Sequence, residues 1–165
     1  MSMITGTIPT ELAAVQSLTW ISFMYQPLLT GIIPQEFFFN KPNVTRVQIQ
    51  ACENLRFESF EGIHQMTNLD TLLLNDNPMP GTTIPTEIGL LTKLTGLELF
   101  NDELTGTLPS ELWQLTQLTS LRVDHNLLTG SLAVGVNGWG LARLTNLELL
   151  LINTNGFTGA IPSDI

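Results

Sequence analysis

The sequence predicts a solenoid of stacked repeats. Three observations lead there. One apolar frame recurs at a near-fixed period along the 165 residues. Each copy contains an L-x-L alternation. Hydrophobic residues reach 43% while charged residues reach only 13%, about half the usual ~25%. The apolar content is enough to offset the entropy of ordering the chain, which excludes disorder. Fifteen acids against six bases give a net charge of −9, which excludes an electrostatic grip on nucleic acid or on an anionic membrane.

The frame is plainest in LTKLTGLELFNDELTGTLPSEL from Leu91, LTQLTSLRVDHNLLTGSL from Leu115 and LTNLELLLINTNGFTGAIPSDI from Leu144. It reads L-x-x-L-x-x-L-x-L-x-x-N-x-L-x-G-x-(I/L)-P. Its fourth residue falls at Leu18, Val44, Leu69, Leu94, Leu118 and Leu147, with spacings of 26, 25, 25, 24 and 29. Repeats this short cannot bury a core alone and must stack on their neighbours. Within each, L-x-L turns both apolar side chains inward and the x residues outward. The Asn position is filled by Gln26, Cys52, Asn77, Asp102, Asn126 and Asn155. A side chain there can bond backbone groups that the turn leaves unpaired inside the solenoid. Glycine recurs at Gly6, Gly31, Gly81, Gly106, Gly130 and Gly159, where the backbone bends. Pro followed by an acid recurs as Pro9/Glu11, Pro34/Glu36, Pro85/Glu87, Pro109/Glu111 and Pro162/Asp164, which places a short helix start with an acid in its first turn.

These motifs resemble leucine-rich repeats, specifically the plant-type subclass with its L-T-G-x-I-P signature, and the resemblance covers nearly the whole chain. It implies an α/β solenoid: a right-handed superhelix with a parallel β-sheet on the concave face and short helices or turns on the convex side. Proteins of this type include receptor-like kinase ectodomains and polygalacturonase-inhibiting proteins. The resemblance therefore implies recognition, an extracellular or cell-surface setting and a membrane-associated parent protein, and names no ligand.

Two copies depart from the frame. The third, ENLRFESFEGIHQMTNL, has Arg56 where Gly is expected and no Pro, and Phe57 and Phe60 are expected to replace its aliphatic filling. The sixth follows an insertion within Ser131–Leu144 that carries three glycines and Trp139, read as a convex-side loop. Residues 1–165 are expected to form one domain of about six repeats with partial repeats at both ends, a fragment or an uncapped solenoid.

The outward strand positions form four columns: Trp20, Arg46, Thr71, Gly96, Ser120, Leu149; Ser22, Gln48, Leu73, Glu98, Arg122, Leu151; Met24, Gln50, Asn75, Phe100, Asp124, Asn153; and Tyr25, Ala51, Asp76, Asn101, His125, Thr154. Aromatic anchors beside Arg are what protein interfaces enrich. The candidate ligand-binding residues are accordingly Trp20, Tyr25, Arg46, Gln48, Glu98, Phe100, Arg122, Asp124 and His125. Joint replacement of Phe100 and Arg122 by Ala is expected to abolish partner binding at little cost in stability.

No catalytic residue is expected. Asp124 and His125 are sequence neighbours, which on a regular strand point to opposite faces, and Ser120 has no nucleophile elbow around it. Neither a metal nor a cofactor is expected, since the acids follow no ligand spacing. Cys52 is the only cysteine, so the chain cannot close a disulfide on itself, and the thiol is read as a buried ladder residue. No stretch is long and apolar enough to insert in a membrane, and the N-terminus lacks the basic n-region of a secretory signal. The one glycosylation sequon, Asn43-Val44-Thr45, makes Asn43 a possible N-glycan acceptor.

The function expected is non-enzymatic recognition of a protein or peptide on the concave face. One alternative is a structural subunit of a larger assembly. Another is a solenoid that binds carbohydrate or ice through spaced hydroxyls, namely Thr92, Thr95, Thr116, Thr119 and Thr145.

Overall fold

The computed structural model describes residues 3–132 and 140–160. Pro162, Asp164 and Trp139 lie outside the described residues. The six L-x-L segments form one parallel sheet from β1 (Trp20–Met24), β3 (Arg46–Gln50), β5 (Thr71–Leu73), β6 (Gly96–Glu98), β7 (Ser120–Arg122) and β9 (Leu149–Leu151), in that order. The pairing register runs Trp20, Arg46, Thr71, Gly96, Ser120, Leu149, and two residues on it runs Ser22, Gln48, Leu73, Glu98, Arg122, Leu151. The first two sequence columns therefore stand side by side across the sheet. The first five strands of the sheet bury their inward side chains, with Val47, Leu72, Leu97 and Leu121 wholly covered and Ile21 buried, while Leu150 of β9 is half-buried.

The x-G-x segments add shorter parallel pairs. β2 (Gly31–Ile32) lies beside β4 (Leu55–Arg56), and β8 (Thr129–Ser131) beside β10 (Gly156–Thr158). Isolated bridges join Gly6 to Leu29, Thr83 to Thr105 and Thr107 to Thr129. All six glycines of the column have φ between 76° and 100°. At Gly106 a Cβ would also meet the Thr83 methyl at 3.0 Å, so both conformation and space require Gly there. The fourth copy carries a one-residue shift. Thr105 donates its N–H to Thr82 O, whereas Thr30 and Thr129 donate to Gly6 O and Gly106 O. The carbonyl in the glycine place is thus Thr82's, one residue beyond Gly81.

The convex helices are single 3₁₀ turns of three to five residues: Thr10–Ala14, Gln35–Phe38, Ile63–Gln65, Thr86–Leu90, Ser110–Gln114 and Leu141–Arg143. Pro9, Pro34, Pro85 and Pro109 precede four of them in extended or near-extended conformation, without a side-chain cap. The first-turn acids have a local partner as well as the weak dipole of so short a turn. Thr10, Thr86 and Ser110 hydroxyls bond Glu11, Glu87 and Glu111 at 3.4, 3.2 and 3.1 Å. Successive turns pack closely, and at Gly89 a Cβ would lie 2.5 Å from Glu111 O.

The third copy keeps its core by changing its filling. Phe57 and Phe60 are both buried, and Phe57 packs on Phe38 (centroids 6.0 Å) and on Phe60 (6.4 Å). Arg56, where the frame expects Gly, lies in β4 outside the left-handed region and pairs with Ile32, while the carbonyl that accepts a Thr hydroxyl, as those of Gly6 and Gly106 do, is that of Phe57. Lys41 occupies the first, apolar position of the frame. Its stem is buried, its ammonium donates to Ala13 O, and burial lowers its pKa.

The expected polar ladder runs through the interior. Asn77 Oδ1 accepts the Cys52 N–H at 3.1 Å, Asp102 Oδ1 the Asn77 N–H at 2.9 Å and Asn126 Oδ1 the Asp102 N–H at 3.2 Å. Each Asn amide also donates to carbonyls of its own turn and of the preceding repeat: Asn77 to Asn75 O and Ile49 O, Asn126 to Val123 O and Leu99 O. Gln26 continues the pattern by accepting from Ile4 N–H, and the Cys52 thiol by donating to Gln50 O and Phe23 O. Burial pushes the thiol's pKa up.

Asp102 is the exception in this ladder. It is wholly buried, its Oδ2 makes no hydrogen bond to another heavy atom, and burial pushes its pKa from 3.8 up to about 9, with the Asp76 charge adding to the shift. Its neutral form carries a proton and so avoids a buried charge. The folded pKa lies above the unfolded one. The contribution of Asp102 to stability is therefore complete below about pH 4 and is lost as pH rises toward 9. Asp102→Asn is expected to raise stability by up to about 4 kcal/mol at pH 7, with the gain vanishing near pH 4. Thermal melts across pH check this; a gain independent of pH would refute the buried acid. Gly89→Ala should cost about 1–3 kcal/mol in the same melts, because backbone stands in the way.

Candidate functional site

The concave face is built from the outward residues of the six strands and the residues that end them. Tyr25, Ala51, Asp76, Asn101, His125 and Thr154 all adopt left-handed conformation, with φ between 52° and 60°. None of them is Gly, so each strand ends on a strained residue. This flip explains the one adjacency that strand alternation forbids. Asp124 and His125 come to the same side, with Nδ1 and Oδ2 2.9 Å apart.

Two clusters gather the candidate residues. In the first, the Arg46 guanidinium lies 5.6 Å from the ring centroid of Trp20, its partner in register, and Trp20 is 57% exposed. Tyr25 ends the same strand with 64% of its surface exposed. In the second, the Arg122 guanidinium sits 3.7 Å over the Phe100 ring, between Glu98 at 3.8 Å and Asp124 at 3.5 Å. The side chain of Asp124 is only 5% exposed and is held from two sides, by Arg122 and His125. Gln48 joins neither cluster and lies half-buried in register between Ser22 and Leu73. Leu149 is exposed, whereas Phe100, Leu73 and Leu151 are half-buried.

Between the clusters runs a relay of polar side chains that the candidate set omits. Gln50 donates to Asn75 Oδ1 at 2.5 Å, Asn75 to Asp76 Oδ2 at 2.7 Å and Asn101 to Asp76 Oδ1 at 2.9 Å. The signal for it was their place in the third and fourth columns, where amides and an acid recur at one level. With Ala51, Glu53 and Glu103, Asp76 and Asn101 line a cavity at the strand ends.

Other chemistries find little support. Ser120 Oγ has no hydrogen-bond partner, hence no base to activate it. Among the described residues no group of three or more His, Cys, Asp or Glu is placed to hold a metal ion. Two of the threonines read as a hydroxyl array have their hydroxyls bonded to the preceding repeat: Thr95 and Thr119 donate to Asp70 O and Thr95 O, both at 3.0 Å. Among the described residues no helix is long and apolar enough to cross a membrane.

The sequence matches no family model and no curated protein. Among solved structures, the Arabidopsis receptor kinase HAESA, in complex with the peptide hormone IDA and a co-receptor, aligns with 97% of this chain at 27% identity and a TM-score of 0.78. The chain is a leucine-rich repeat solenoid. The ectodomain of the Arabidopsis thaliana receptor kinase GASSHO1/SCHENGEN3 aligns with 97% of the solenoid at 26% identity and a TM-score of 0.76. A leucine-rich repeat protein of Leptospira interrogans aligns with 96% at 28% identity and a TM-score of 0.71. The solenoid spans only 25%, 18% and 36% of those three chains, respectively.

The ties of Arg122 alter one expectation. Removing it leaves the Asp124 carboxylate buried without its guanidinium, so the joint Phe100/Arg122 replacement is not stability-neutral. Arg122→Ala is expected to cost about 1–3 kcal/mol, and adding Asp124→Asn should recover much of that. A double-mutant cycle from denaturant melts measures the coupling. Additive losses would mean that the two groups do not interact.

Proposed function

We propose that the solenoid is a non-enzymatic recognition module that binds a protein or peptide along its concave face. The observation that carries this reading is the aromatic and charged surface left open at one end of that face. Trp20 and Tyr25 are exposed although nothing in their own repeat requires aromatic side chains there, and Arg46 borders Trp20. Large, rigid aromatics beside Arg are the residue types that dominate binding energy at interfaces. The Phe100–Arg122 stack, already ordered by Glu98 and Asp124, continues the surface with little rotamer entropy left to lose on binding. Gln48 and His125 complete the proposed contact set.

The solved relatives support the same reading. HAESA is in complex with a peptide hormone, and the GASSHO1/SCHENGEN3 ectodomain with CASPARIAN STRIP INTEGRITY FACTOR 2. The first is a receptor kinase and the second the ectodomain of a plant membrane receptor kinase, which supports an extracellular or cell-surface setting for this solenoid.

Trp20 and Tyr25 give the cleaner test, because their exposed side chains can be removed without opening the core. Peptides selected from a random display library on the folded solenoid should lose at least about tenfold in affinity on Trp20→Ala or Tyr25→Ala. Melting should be unchanged in both, and the convex control Glu87→Ala should bind like the parent. Selected peptides that bind both variants with parental affinity would rule out this end of the concave face as the site.

A further inference from the structure

We infer that Asn43 is an N-glycan attachment site, and that its glycan stands along the edge of the concave face where the strands begin. The inference rests on the secretory setting proposed above, since the transferase works only there.

Asn43-Val44-Thr45 is the only Asn-x-Ser/Thr sequence in the chain, and its middle residue is not Pro. The structure adds what the motif alone lacks. Asn43 and Thr45 are both exposed, in the turn that leads into β3, while Val44 between them is fully buried in the core. The two side chains that matter for the modification therefore face solvent, and the one that does not anchors the turn.

The Asn43 amide is also the most loosely held of the three Asn at this place in the repeat. The equivalent Asn68 and Asn146 donate to carbonyls of the preceding repeat, Pro42 O and Thr116 O, at 2.7 Å in both cases. Asn43 donates to Gln16 O at 3.3 Å. A glycosylated amide nitrogen keeps one N–H, so this single bond survives the modification. The neighbouring amides belong to no sequon. The Thr45 hydroxyl donates to Thr19 O at a long 3.4 Å, which leaves the pair weakly committed to the fold.

There is also room. Asn43 borders an open groove at the strand-start edge with Ser17, Thr19, Thr45, Asn68 and Lys93, a polar lining that suits a hydrated sugar. The chemistry needs a polyprenyl-diphosphate-linked oligosaccharide as donor. Asn43 Nδ2 forms a bond to the sugar C1 and the C1–O bond to the diphosphate breaks. The lipid diphosphate leaves with that electron pair, and one amide proton goes to the transferase's base. A glycan so placed begins three residues before Arg46. It walls the strand-start edge and leaves the opposite edge, with Tyr25, Asp76 and His125, as the open approach for a ligand.

The full chain, fused to a cleavable signal peptide, can be translated with endoplasmic-reticulum microsomes. Protease-protected chain should gain the mass of one glycan, which peptide-N-glycosidase removes. Asn43→Gln and Thr45→Ala should each abolish the gain while remaining protease-protected. Protected wild-type chain without the added mass overturns the assignment, as does a gain that persists in both variants. Neither result bears on peptide binding at Trp20 and Tyr25, which is read separately by affinity.

Discussion

The structure depends on a single constraint: every turn that ends a concave strand leaves backbone groups facing the interior of the solenoid, and they must be bonded there. Buried unpaired N–H and C=O groups cost about 1–3 kcal/mol each, so six repeats left unpaired would outweigh the net stability of a domain this size. The ladder from Gln26 to Asn155 solves this with one side chain per repeat. Gln26, Asn77, Asp102, Asn126 and Asn155 accept backbone N–H groups, the three Asn also donate to carbonyls of two successive repeats, and the Cys52 thiol donates in the same way. The ladder thereby ties neighbouring repeats together and fixes their register. Leucine packing, which is non-directional, could not do that by itself.

This division of labour explains why the sequence was so readable for fold. Period-2 alternation, the repeated Gly and the ladder position each reflect a backbone requirement that recurs unchanged, so spacing alone aligns them. The first two columns read from spacing match the strand register, including Trp20 beside Arg46 and Glu98 beside Arg122. What spacing could not reveal is anything set by a local departure. Lys41 sits wholly buried at an apolar frame position because Ala13 O receives its ammonium, and a count of residue types cannot see that partner. One extra residue lies between Gly81 and Pro85, but that Thr82 rather than Gly81 then takes the glycine's bonding place shows only in the carbonyl partners.

The candidate site was legible in part. The columns named the residues that face outward, yet not which of them hold one another. Arg122 reads as a free recognition residue until its two carboxylates and the Phe100 ring are seen around it. His125 beside Asp124 reads as two residues on opposite faces until the left-handed flip is known. Pairing across repeats depends on rotamers and on backbone sign, and neither is periodic in the sequence.

That flip has a consequence for how such a surface can change. Six non-glycine residues, Asn101 among them, hold a conformation that Gly adopts more easily, at about 1–2 kcal/mol each for the bulkier ones. The backbone does not ask for Tyr25, His125 or Thr154; it would rest more comfortably without their side chains. Substitution along this rim is therefore released from the packing rules that govern the rest of the molecule. The fold carries a row of positions where a new side chain can be tried with small risk to the scaffold, and where reverting to Gly is always open.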